Sequence, residues 1–169
     1  MTGVHFLISQ GRHHFRLTCH LLCLRVVKKR SRAIIANNKM MADYLTFSRK
    51  SQESLAVAKY CFEQGYDNSC VNRAYYAMFQ IAVAALAKVG VTPSTKRVEH
   101  EWVHGEFSRS FIWQRKRFPK LKGLLSEVQE WRNTADYTDT EISHKKAKHL
   151  LDKAILFAEQ VHKEVHHAS

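Results

Sequence analysis

The stretch Asn72 to Val89, NRAYYAMFQIAVAALAKV, constrains this chain more than any other. Apolar residues recur at Val71, Ala74, Tyr75, Met78, Phe79, Ala82, Ala85, Leu86 and Val89, the three-four spacing of a helix face. The opposite face carries Tyr76, Ala77, Ile81, Val83 and Ala84 and offers little to water. A helix that is apolar nearly all round belongs in the middle of a bundle. Its alanines let neighbouring helices approach closely. The polar pair Asn72-Arg73 at its start needs a separate account. A charged side chain on an apolar helix must reach water, a carboxylate or a partner, because an unpaired buried charge is costly.

The flanking sequence supplies the other helices. From Ala42 a first helix is expected, capped by Asp43 or Thr46, with Phe47, Leu55, Ala58 and Phe62 on one face and Gly65 at its end. Asp67 or Asn68 is expected to cap the central helix, and Gly90 to stop it. Val98, Trp102, Val103, Phe107 and Phe111-Ile112 suggest a third helix within Thr95–Trp113, weakened at Gly105. His100 and His104 lie on it and are expected at the surface. QRKRFPK, 114–120, reads as a basic connector, with Pro119 opening a fourth helix through Leu121, Leu124, Leu125, Val128 and Trp131 towards Tyr137. Thr140 or Ser143 is expected to cap a fifth helix carrying Ala147, Leu150, Leu151, Ala154, Phe157, Ala158, Val161 and Val165. No segment alternates with period two long enough to make a strand. The fold class is therefore all-α, an antiparallel bundle of four to five helices.

Residues 1–40 differ in kind. They hold eight of the 27 Lys and Arg and none of the 15 acidic residues. The net charge of +12 thus belongs largely to this extension, and residues 41–169 carry only about +4. An acid-free leader fits a transit peptide. The cluster KKRSR, Lys28 to Arg32, fits a nucleic-acid contact or nuclear signal. Cys19 and Cys23 with His13, His14 and His20 lack the second well-placed pair that a zinc site needs. The favoured reading is a basic extension that is disordered or not native, with Met40 or Met41 as the real start and 41–169 as the domain. The four cysteines do not form a disulfide framework, which points to a reducing compartment, here the cytoplasm. The longest apolar run, Leu21 to Val27, is interrupted by Arg25 and too short to span a bilayer. No membrane role, metal or cofactor is expected.

A second constellation closes the fourth helix: Trp131 to Asp139, WRNTADYTD. Asp136 lies four residues after Arg132 and shares its face. A bland reading is a helix-end ion pair worth about 0.3–0.5 kcal/mol when exposed, with Tyr137 as packing. Pairing of Arg73 with Asp136 would explain both polar motifs as ties between helices.

Together, NRAYYAMFQIAVAAL and WRNTADY about fifty residues later resemble the HEPN domain family, most closely its small stand-alone prokaryotic members with an Arg-x-x-Ala-Asp-Tyr motif. The resemblance covers about 43–165 and leaves the extension outside. It implies a bundle of about five helices, usually dimeric. It also implies that many members are metal-independent ribonucleases, using an Arg, a following polar residue and a His four to six residues on. His shuttles protons near neutrality, and Arg holds the scissile phosphate. Here Arg132 and Asn133 are present, but Tyr137 stands where the His is expected. A tyrosine, with an ordinary pKa of about 10, is a poor base at neutral pH, although it can donate a hydrogen bond to phosphate. His144 could substitute only if the fold brings it back.

The resemblance therefore implies a homodimer in which Arg73, Arg132, Asn133, Asp136 and Tyr137 line an RNA- or nucleotide-phosphate site. It further implies work beside a minimal nucleotidyltransferase in a toxin–antitoxin-type module. The alternatives are an endoribonuclease using Arg132 and Tyr137, and a non-catalytic bundle.

Overall fold

A computed structural model describes residues 10–93 and 98–167, with side chains at 35, 38–93 and 98–164. The chain divides into two units, Met1–Lys39 and Met40–Ser169. Five α-helices are described: α1 (Gln10–Glu63), α2 (Asp67–Lys88), α3 (His100–Phe107), α4 (Leu124–Tyr137) and α5 (His144–His167). A π-helical turn (Ser108–Gln114) and a 3-10 turn (Pro119–Leu121) join α3 to α4. No strand occurs among the described residues. The first unit contains the N-terminal part of α1, and the second is an all-α bundle. The side chains for the zinc reading, at 13, 14, 19, 20 and 23, lie outside the described ones.

α2 is the central helix of that bundle. Every residue from Ile81 to Ala87 is buried, and Ala74, Ala77, Ala82, Ala84 and Ala85 are fully so. Small side chains let α3, α4 and α5 all pack on this one helix. Buried hydroxyls add direction. Ser51 Oγ donates to the Ala77 carbonyl at 2.7 Å, and Ser54 Oγ to Gln80 Oε1 at 2.8 Å, so α1 is tied to α2 as well as packed on it. Cys61 and Cys70 are core residues, and burial pushes the Cys70 thiol up to about 12.

The helix ends follow local chemistry, with four departures from the sequence reading. Gly65 and Gly90 adopt φ of 74° and 78° and close α1 and α2 as expected. α1, however, is already helical before Asp43, so neither Asp43 nor Thr46 caps it. α2 has no side-chain cap. Asn68 Oδ1 instead accepts the Ile142 N–H at 3.2 Å, and Asp67 binds His144, so both tie the start of α2 to the α4–α5 connection. Pro119 opens only the 3-10 turn, because Gly123, with φ of 78°, resets the chain before α4. The third helix becomes π-helical at Ser108, since Ser110, Phe111 and Ile112 are all buried in succession and the wider turn accommodates them. At α5, Ser143 Oγ accepts the Lys146 N–H at 3.3 Å and is the cap.

Candidate functional site

The polar starts and ends of two helices meet on one side of the bundle. α2 supplies Asn72, Arg73, Tyr75 and Tyr76 near its first turns, and α4 supplies Arg132, Asn133, Asp136 and Tyr137 at its last. Arg132 Nε lies 2.9 Å from Asp136 Oδ2, and the two side chains are only 17% and 24% exposed. Arg132 Nη1 donates to Asn133 Oδ1 at 3.1 Å. The guanidinium carbon stands 5.8 Å from the Tyr76 ring centre and 5.2 Å from that of Tyr137. Cation–π attraction to two rings thus adds to the ion pair. Burial works against the charge on Arg132. The hydrogen bond with Tyr137 and the neighbouring Asp136, Tyr76 and Tyr137 outweigh it and raise the pKa, so the cation is firmly fixed.

The Arg73–Asp136 pair that the bland reading would need does not form. Asn72 Nδ2 reaches Asp136 Oδ2 instead, at 2.7 Å. Arg73 is exposed and lies 5.7 Å over Tyr76. One turn of α2 therefore sends the neutral amide to the carboxylate and leaves the guanidinium beside the same aromatic ring that Arg132 uses. Two buried polar atoms here lack hydrogen-bond partners: Asn72 Oδ1 and Arg132 Nε, whose approach to Asp136 is close but badly directed. Orphaned buried polar atoms are rare in folded proteins and require explanation.

His100 and His104 are half-buried, not surface residues. The Tyr75 hydroxyl, on a ring 1% exposed, lies 2.6 Å from His100 Nδ1 and 3.3 Å from His104 Nε2. His104 Nδ1 lies 3.3 Å from Ser126 Oγ. Desolvation, reinforced by His100, pushes the His104 pKa down to about 4. Neutral His104 can accept the Tyr75 O–H and donate to Ser126. Tyr75 Oη is then left to accept from His100 in the tautomer that carries its hydrogen on Nδ1. The His100 ring stands 6.3 Å from Tyr76, edge-on. Tyr76 is therefore shared by Arg73, Arg132 and His100. Sequence spacing could not reveal this, because His100 is on α3 and precedes Arg132 by 32 residues. Only the RAYY tyrosines, read as contact points between helices, could have signalled it.

His144 does not return to Arg132. It opens α5, pairs with Asp67 at 2.8 Å and stacks on Phe62 with centroids 4.1 Å apart. Tyr137 is 73% exposed, so it is a surface group beside Arg132 and not a packing residue. Among the described residues no cluster of His, Cys, Asp and Glu is placed to hold a metal.

The His104 environment gives a pH prediction. In the unfolded chain His104 takes a proton below about pH 6.5, whereas the folded protein resists until about 4. The unfolded state thus binds more protons between these values, and stability falls as pH drops through that window. The loss from this group is on the order of 3 kcal/mol by pH 4. Urea melts at pH 7 and 4.5 should show His104→Gln losing less stability on acidification than the parent. Equal losses would place the acid sensitivity elsewhere.

Residues 44–166 match the family described as HEPN domain. A protein of Methanocaldococcus jannaschii named "Putative toxin MJ0142" is 29% identical over 115 residues, 68% of this chain and 76% of that protein. A Thermotoga maritima protein named "UPF0332 protein" is 30% identical over 116 residues, 68% of this chain and 85% of that one. A second protein of the Methanocaldococcus organism, "Putative toxin MJ0605", is 26% identical over 113 residues, 67% of this chain and 81% of that one. No described helix is long and apolar enough to cross a membrane.

Proposed function

The chain belongs to the HEPN domain family, and from that premise we propose that it is a toxin-type protein whose Arg132 site binds RNA phosphate. The carrying observation is the pair of orphaned atoms, Arg132 Nε and Asn72 Oδ1, on the two side chains that meet the Asp136 carboxylate. A carboxylate in that position occupies the place of an anion. A phosphate oxygen displacing it would take the Nε–H, and a ribose hydroxyl could donate to Asn72 Oδ1, a combination that suits RNA. Arg73 adds a second cation beside Tyr76, and Asn133 and Tyr137 offer further hydrogen bonds. In this reading the protein is a homodimer and works with a minimal nucleotidyltransferase in a toxin–antitoxin-type module. The toxin names of relatives support the module, and exposed Leu45, Val57 and Tyr60 on α1 supply apolar surface for assembly.

The test is fluorescence anisotropy with a labelled single-stranded oligoribonucleotide. Arg132→Ala should weaken binding by at least tenfold, since a charge-assisted hydrogen bond contributes about 1.5–3 kcal/mol. Its circular dichroism should match the parent. Binding unchanged in this variant would remove Arg132 from the site.

A second reading, metal-independent endoribonuclease, is favoured by His100. It stands against the Tyr76 ring that Arg132 also uses, and an imidazole can be the proton acceptor that Tyr137 cannot be. His100 would remove the 2′-hydroxyl proton, and the oxygen would attack phosphorus. The bond to the 5′-oxygen would break, leaving a cyclic phosphate and a 5′-hydroxyl protonated by solvent. Arg132 would steady the charge on the phosphoryl oxygens. Hydrogen-bonded Tyr75 orients the imidazole and is a positioning residue.

A further inference from the structure

Between Phe107 and Ser126 the chain contains no acidic residue and six basic ones: Arg109, Arg115, Lys116, Arg117, Lys120 and Lys122. This concentration stands out in a bundle whose overall charge is only mildly positive. Two of the six are neutralised, Arg109 by Glu106 and Arg117 by Glu164. Arg115, Lys116, Lys120 and Lys122 are all exposed and have no carboxylate partner among the described residues. Four cations gathered in one connector repel one another, and only ring contacts, Arg115 over Phe111 and Lys122 over Trp113, offset that cost among the described residues.

An aromatic ring sits among them. Trp113 is 58% exposed, directly after three buried residues of the π-helical turn. The burial of Phe111 and Ile112 on one side and Phe118 on the other forces this arrangement. Phe107, Phe111 and Phe118 form one cluster with centroids 5.2–6.0 Å apart, which pins both ends of the connector to the core. The segment between them has to bulge outward, carrying Trp113, Arg115 and Lys116 with it, and Lys120 and Lys122 follow just after Phe118. The chain takes φ of 48° at Lys116 to complete the bend. Lys122 lies over the indole at 4.5 Å and covers part of it with charge. π-helical turns inside helices recur at functional sites. A large exposed indole edged by unpaired cations is the arrangement that binds single-stranded nucleic acid, because every base has a face to stack and every nucleotide brings a phosphate.

We infer that 113–122 is a second RNA contact, in which a base of a single strand stacks on Trp113 while Arg115, Lys116, Lys120 and Lys122 pair with its phosphates. This rests on the RNA reading of the Arg132 site but uses none of its residues. It assigns the substrate class as unpaired RNA, since a base inside a duplex presents no face to the indole. A protein surface rich in carboxylates would satisfy the cations but has no equivalent demand for the exposed ring.

The experiment uses the full chain, a fluorescent oligouridylate and a hairpin of equal length, titrated at several salt concentrations. Trp113→Ala should weaken oligouridylate binding by roughly five- to a hundredfold, with little change for the hairpin stem. Replacing Arg115, Lys116, Lys120 and Lys122 together by Ala should flatten the plot of log affinity against log salt by about 3, near 0.7 per lost phosphate contact. Since all these residues are exposed, melting temperatures should stay close to the parent's. Arg132→Ala in the same assay separates the two sites. If it weakens binding and the connector variants do not, this inference is overturned and the Arg132 reading stands. If the connector variants weaken binding and Arg132→Ala does not, the reverse holds. A parent that binds no oligouridylate defeats both. Connector variants that bind RNA normally but fail to retain a nucleotidyltransferase partner overturn the inference in favour of protein docking.

Discussion

His100→Gln is expected to lower RNA cleavage at neutral pH by about a hundred- to ten-thousandfold while leaving RNA affinity within a factor of two or so. The expectation follows from what surrounds the ring. Arg132 and His100 both rest against Tyr76, one cation–π and one edge-on, and the nuclease reading requires a phosphate held by Arg132 to reach past that ring to the imidazole. Tyr75 holds His100 Nδ1 at 2.6 Å and so fixes the orientation of the ring. Glutamine preserves size and hydrogen bonding but cannot carry a proton between two oxygens at this pH. Tyr75→Phe should cause a smaller loss, because orientation is weakened while the base remains. The product to follow is the 2′,3′-cyclic phosphate, with chelator present. Full activity in His100→Gln would hand proton transfer to another group, Tyr137 being the first to examine. A parent that binds RNA and never cleaves it would end the nuclease reading and keep phosphate binding.

Phe157→Ala is expected to cost about 3–5 kcal/mol of folding stability. Phe157 is fully buried on α5 and its ring lies 5.2 Å from Phe107. Truncation leaves a cavity beside the Phe107 ring, which is stiff and cannot close on it. A domain of this kind has roughly 5–15 kcal/mol in all, so the urea midpoint should fall sharply with little change in slope. The effect should also reach beyond α5. Phe107 anchors Phe111 and Phe118, and these two hold the bulged connector. Below the midpoint, Trp113 fluorescence should therefore report a looser environment. A midpoint close to the parent's would mean that the aromatic cluster repacks, and that the connector is held by something other than its rings.

Much of this architecture could be read from residue spacing. The all-round apolar character of 71–89 required a central helix, and the structure buries Ile81 through Ala87 without interruption. Gly65 and Gly90 ended their helices because each supplies the positive φ that a helix stop needs. Arg132 and Asp136, four residues apart, had to share a face, and they do. Those features are local, and periodicity with backbone chemistry is enough to fix them. The HEPN likeness could also be read from two short motifs, because the RAYY stretch and the Arg132 motif are the parts of α2 and α4 that meet.

The partners of polar side chains were decided only by the tertiary structure. Asn72 and Arg73 are adjacent in sequence, but 100° of helix rotation separates them. The packing of α2 on α4 gave Asp136 to the amide and left the arginine outside. His100 and His104 read as surface residues on a third helix within Thr95–Trp113, until α3 folded them onto Tyr75. QRKRFPK read as a polar connector, but buried Phe118 anchors it, and the π-helical turn pushes Trp113 outward beside its cations. Hydrophobic pattern specifies which helices form and which faces are buried. It carries no information about rotation and register between helices, and those set the distance from an arginine on one to a histidine on another.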